Sequence, residues 1–198
     1  MKIDEAISIR VVPVDSTPLR EQLQQLRAGH LDLVSAASKR EQLQKDVAAY
    51  LATIDPDDEK AVQKVSSLRV QIEILPGIIR RNRAKIESER RPAVVTAATD
   101  YENAVRGSLI STADQRRRAL AEAISPAFPG EVSFSGNTPQ KRSELIAEQS
   151  QFVTRLLAHA KRVDDSAHEV AAAREDWEKP LIECVEALLA LGEEAKKL

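Results

Sequence analysis

Aromatic residues make up only 3% of this 198-residue chain, with a single tryptophan, Trp177. So little aromatic surface is unusual for a compact enzyme and leaves no base-stacking platform for nucleic acid. Cysteine occurs once, at Cys184, so no intramolecular disulfide can form, which suits a reducing compartment. The six glycines are nowhere spaced as a phosphate-binding loop or a dinucleotide fingerprint requires. No apolar run approaches the ~20 residues of a membrane helix. The start, Met1-Lys2-Ile3-Asp4-Glu5, lacks the charged-then-apolar order of a signal peptide, so the expected location is cytoplasmic. A formal net charge of -2 excludes a polycation drawn as a whole to nucleic acid or an anionic membrane.

What the chain does contain is charge and strong helix formers. Charged residues are 30% of the sequence, and Ala, Leu, Glu, Arg, Lys and Gln dominate, a composition of long helices or coiled coils. The β-branched stretch Ala6–Val14 reads as an extended arm within residues 1–16, with Pro13 confining it to an edge. Its strand partner would be Glu131–Ser135 or another chain. A first helix is predicted over about 18–52, with Thr17 as cap and Pro18 at the first position. Its apolar stripe runs Leu19, Leu23, Leu26, His30, Leu33, Ala37, then Leu43, Val47, Tyr50 and Ile54, with a stutter between Ala37 and Leu43. Asp55-Pro56 repeats the start signal, so a second helix follows at once over 56–125 and the two form an antiparallel hairpin. Ile72, Leu75 and Ile79 keep phase through Pro76-Gly77, which predicts a kinked helix near 76. Pro92 predicts a second kink or restart. Residues 126–138, rich in proline and glycine, read as a loop with room for a short strand.

After Thr138-Pro139 the heptads are the most regular in the chain. One seam position reads Ile146, Val153, Ala160, Ala167, Arg174, Leu181, Leu188, Ala195; the other reads Gln149, Leu156, Val163, Val170, Trp177, Cys184, Leu191, Leu198. This pattern predicts one long helix over 139–198, kinked at Pro180, packing back on the second helix and spanning roughly 90 Å. The expected fold is therefore all-α: an elongated antiparallel coiled-coil or helical-hairpin bundle of three long kinked helices, with a short N-terminal arm and room for minor β pairing.

The most tempting site is the basic run Arg80, Arg81, Arg83, Lys85, Arg90 and Arg91, which fans over more than half of its helix. It reads either as a phosphate-contacting face or as a solvated face with interhelical ion pairs. If loop 126–138 closes an antiparallel hairpin, residues 80–91 stand opposite Glu175, Asp176, Glu178 and Glu183. Arg116, Arg117 and Arg118 then stand opposite Glu144 and Glu148. That opposition favours ion pairing. Trp177 reads as a packing anchor, Cys184 as an inert thiol, and His30 and His159 as satisfied seam histidines. Asn82 would set register. His168-Glu169 lacks the second histidine of a zinc-protease motif, since Ala172 stands there. Asp165–His168 lacks the companion helices of a di-iron site. No catalytic, metal or cofactor site is expected. The expected function is a non-enzymatic structural or protein-interaction module, a scaffold, adaptor or assembly component. Its partners would be other proteins or further copies of itself in a homo-oligomer, with no membrane. The alternative is a nucleic-acid-associated protein using Arg80–Arg91.

Overall fold

The computed structural model describes residues 8–53, 55, 57–124, 139–173 and 179–198. Every regular element among them is helical: α1 (Thr17–Thr53), α2 (Glu59–Lys85), a π-helical turn (Ile86–Arg90), α3 (Arg91–Ile124), α4 (Pro139–Ala172) and α5 (Lys179–Ala195). The all-α class expected from composition and periodicity is the one observed. Two compact units divide the chain: Arg20–Val94, and Met1–Leu19 together with Val95–Leu198.

The first unit is a two-helix hairpin of α1 and α2. The α2 start differs from expectation. The Asp55 carboxylate accepts the Asp57 N–H at 3.0 Å and its carbonyl the Asp58 N–H at 3.1 Å, so it shapes the turn. Asp58, with an extended ψ of 94°, is the cap and accepts from the Lys60 and Ala61 N–H groups at 3.0 and 3.3 Å. The helix therefore begins at Glu59, later than Pro56. Two contacts fix an antiparallel register. At the tip, Lys64 donates to the Tyr50 hydroxyl and lies 4.4 Å above its ring. At the base, Arg90 Nη1 donates to the Gln25 carbonyl at 3.0 Å. α2 runs through Pro76 without interruption, as the unbroken phase of Ile72, Leu75 and Ile79 predicts. At Pro92 the helix accommodates the missing N–H with a π-turn rather than a restart. The Arg91 N–H reaches back to the Ile86 carbonyl, one residue further than an α-helical bond.

The second unit is an up-down-up bundle of α3, α4 and α5. Arg116 to Gln149 (2.9 Å) and Arg106 to Asp164 (3.1 Å) set α4 antiparallel to α3. His159 to the Leu191 carbonyl (2.8 Å), with Glu169 beside Cys184, sets α5 antiparallel to α4. This corrects the single helix expected over 139–198: the chain reverses between Ala173 and Lys179. Heptad spacing is blind to such a reversal, because the same stripe can face a neighbour on either side of a turn. Pro180 was the signal. It occupies the first turn of α5, where its missing N–H costs no helical bond. Val105, Leu109, Leu156, Val163, Val170, Leu181, Val185 and Leu188 are each at most 2% exposed. Each contributes about 1.5–3 kcal/mol of burial.

The N-terminal arm belongs to this bundle. Residues 9–16 carry no regular structure, and there is no strand among the described residues, so the arm is not β-paired there. It lies instead along α3: the Ile9 carbonyl accepts from Arg116, the Val12 carbonyl accepts from Ser108 Oγ at 2.8 Å, and Val11 is buried. At its end the Thr17 side chain and N–H hold the Asp15 carboxyl below its ordinary pKa of 3.8. Residues 126–138, with the strand candidate 131–135, lie outside the described residues, as do Arg174, Glu175, Asp176, Trp177 and Glu178.

Candidate interaction site

The basic run does not act as one face. Arg91 is 5% exposed, and Arg90 turns inward to the Gln25 carbonyl on α1. That approach is possible because residue 29 is glycine: a Cβ there would fall 1.9 Å from Arg90 Nη1. The π-turn, which carries Arg90, and the Gly29 notch thus form one lock at the base of the hairpin. Arg83 pairs with Glu87 one turn on, at 3.4 Å, both well exposed. Arg80, Arg81 and Lys85 are exposed. Of the acidic partners expected for this run, Glu175, Asp176 and Glu178 lie outside the described residues, and Glu183 is an exposed residue of α5. Asn82 sits half-buried in the seam, where a register-setting residue belongs.

The rest of the hairpin surface is more apolar than a solvated coiled coil requires. The seam is unevenly covered: Leu23, Leu26, Leu43, Val47, Val65, Leu75 and Ile86 are buried, whereas Leu33, Leu68, Ile72 and Ile79 are only half-buried. Beyond the seam, Leu31 (70% exposed) and Val34 (60%) lie one turn apart on α1, and Val70 (52%) and Ile74 (53%) one turn apart on α2. Isolated exposed aliphatics are ordinary, but pairs at helical spacing make stripes.

In the bundle, the arginine expected to face Glu144 and Glu148 does something else. Arg116, 3% exposed, donates from Nε and Nη2 to the Ile9 carbonyl and from Nη1 to Gln149 Oε1 at 2.9 Å, and it stacks 3.6 Å over Phe152. Burial, with Arg10 nearby, holds its pKa below the ordinary arginine value. Gln149, which the heptads mark as an interruption of the apolar seam, is thus the partner of a buried cation. Arg117 pairs with Asp114 on its own helix at 3.7 Å. These two helices are antiparallel, as inferred, yet acid–base opposition did not select the partners. A further cluster was not anticipated: Arg106 Nη1 bridges the buried Glu102 (3.3 Å) and Asp164 (3.1 Å) across α3 and α4.

His159 and His168 are bound to carbonyls. His159, 5% exposed, bonds the Leu191 carbonyl through Nε2, and Arg162 pairs with Glu194 beside it at 3.2 Å. His168 Nδ1 bonds the Asp164 carbonyl of its own helix at 2.8 Å. That bond, with the charges of Asp164, Asp165 and Glu102, raises its pKa above 6.5. Burial, then Glu169 and Glu183, pushes the half-buried Cys184 thiol up, which makes it a poor nucleophile. Among the described residues no three His, Cys, Asp or Glu side chains are grouped to hold a metal, and no helix is long and apolar enough to cross a membrane. The signals that could have found the locks were single residues out of place: a glycine inside the α1 heptads, and an arginine on the apolar stripe of α3. Comparison with protein-family models, curated proteins and solved structures finds no match to this chain.

Proposed function

We propose that this chain is a non-enzymatic protein-interaction module, a scaffold, adaptor or assembly component, whose α1–α2 hairpin docks against other proteins or further copies of the chain. The observation that carries the reading is the hairpin's apolar excess. Leu31, Val34, Val70 and Ile74 stay exposed and part of the seam, at Leu33, Leu68, Ile72 and Ile79, stays half-covered, although the bundle shows that this sequence can build a closed core. Helix-on-helix docking would cover such stripes with i, i+3 and i+4 anchors. The cytoplasm, where a single unpaired cysteine is stable, is the proposed setting. The nucleic-acid reading is weaker. Arg90 and Arg91 are engaged inside the protein and Arg83 meets Glu87, which leaves Arg80, Arg81 and Lys85 as a short cationic patch with no aromatic beside it. A photo-crosslinker at positions 34, 70 and 81, used in the native cell, tests both. Protein adducts from 34 and 70, or dimers of the chain itself, support docking. Nucleic-acid adducts from 81 alone would replace it with the alternative, and no adducts at all would remove both.

A further inference from the structure

The arm is bound as a peptide ligand would be. Residues 9–14 form no strand; the Ile9 carbonyl accepts from Arg116, the Val12 carbonyl accepts from Ser108 Oγ, and the Val11 side chain is buried. Val11 is buried between the exposed Arg10 and Val12 (68% exposed), as in an extended stretch laid in a groove. Beneath Val12 and Val14 the groove floor is Val105 and Ser108 of α3 with Ala195 of α5.

The groove is built around a preorganised cation. Phe152 at 3.6 Å and Gln149 Oε1 at 2.9 Å fix the plane of the Arg116 guanidinium. Its Nε and Nη2 donors then point together at one oxygen, the Ile9 carbonyl. This is the edge of a guanidinium that matches the two oxygens of a carboxylate, and charged acceptors bind such a fork more strongly than a neutral carbonyl does. An eight-residue segment without regular structure, residues 9–16, opens more readily than the helices beneath it.

We propose that the arm is a resident self-ligand of this groove, and that an extended peptide which brings an aspartate or glutamate to Arg116 displaces it. The bundle groove is a different surface from the hairpin stripes, so the proposal stands or falls apart from the hairpin reading above.

The test uses the full chain and three fluorescein-labelled peptides of residues 8–15: the natural sequence, an Ile9→Asp form and an Ile9→Asn form. Anisotropy measures binding, and hydrogen exchange measures protection of the protein's own residues 9–14. The Asp peptide is expected to bind about tenfold more tightly than the Asn peptide. As it binds, amides 9–14 of the protein lose protection. Arg116→Lys keeps the charge but removes the fork, and should erase the preference while helical content stays the same. Ser108→Ala, which leaves Arg116 in place, should weaken all three peptides alike and covers the case in which Arg116→Lys does not fold. Equal binding of the Asp and Asn peptides overturns the proposal. So does the absence of binding, or loss of arm protection only with global unfolding.

Discussion

Replacing glycine by alanine inside an exposed helix ordinarily stabilises it by about 1 kcal/mol, because glycine has more backbone freedom to lose on folding. Gly192 in α5 should do the opposite. A Cβ there would lie 1.9 Å from the Tyr101 hydroxyl oxygen, 2.7 Å from Cζ and 3.0 Å from Cε1. All three are atoms of one rigid ring on α3, and Tyr101 is 4% exposed, so the ring has nowhere to swing. The helices would have to separate or the ring leave its rotamer, at a cost of about 1–3 kcal/mol and toward the upper end for a contact this short. Set against the propensity gain, Gly192→Ala should destabilise the bundle by about 1–2 kcal/mol, lowering its melting temperature by roughly 2–8 °C. Gly77 and Gly107 are the controls: both are helical, and nothing lies within 4 Å of an added Cβ. Gly77→Ala and Gly107→Ala should each stabilise by about 0.5–1 kcal/mol. Thermal and urea melts followed by circular dichroism measure all three. If Gly192→Ala proves as stabilising as the controls, Tyr101 does not pack on α5 as described.

Gly29→Ala should fall between these extremes, destabilising the hairpin by about 0.5–2 kcal/mol. The blocked group is a flexible arginine end, and what is lost is the charged hydrogen bond to the Gln25 carbonyl. In an Arg90→Ala background the same substitution should turn neutral or favourable, which a double-mutant cycle by urea melts will read. Leu156→Ala empties a fully buried core site and should cost about 2–5 kcal/mol, whereas Leu31→Ala on the exposed stripe should change the melt by under about 0.5 kcal/mol. His168 should titrate above 6.5 by NMR. Because its folded pKa is raised, its contribution to stability is fully present below the unfolded value and disappears as pH rises through the folded one; His168→Gln should remove that part of the pH dependence. A His168 titration below 6.5 would contradict the carbonyl contact.

The helices were legible because their information is local and periodic. Prolines and heptads pointed to helices where α1, α2 and α4 lie, although the α2 cap is Asp58 rather than Asp55, and the phase kept across Pro76 favoured helix over loop there. The heptads did not reveal the reversal before α5, for which Pro180 was the one signal. Leu181 and Leu188 continue the seam of Val153 and Ala160 in phase, and phase alone cannot say whether the chain turns back. The contacts of Arg90 and Arg116 were not legible for a related reason. Blocks of opposite charge suggested partners for Arg90 and Arg116, but both guanidiniums went to backbone carbonyls, which a sequence never displays because every residue has one.

The π-turn also sets the phase of the apolar stripe along this helix. The buried stripe steps from Ile86 to Val94, eight residues where a heptad would need seven, and beyond it Val94, Ala98, Tyr101 and Val105 resume regular spacing. One surplus residue, held in a single widened turn, is what separates the helix from an uninterrupted repeat. A chain shortened by one residue at Ser88, with Pro92→Ala to restore the missing donor, should close that turn into ordinary α-helix while keeping the apolar stripes on both sides in step. In the present sequence the widened turn carries Arg90, whose guanidinium reaches the Gln25 carbonyl past the Gly29 notch.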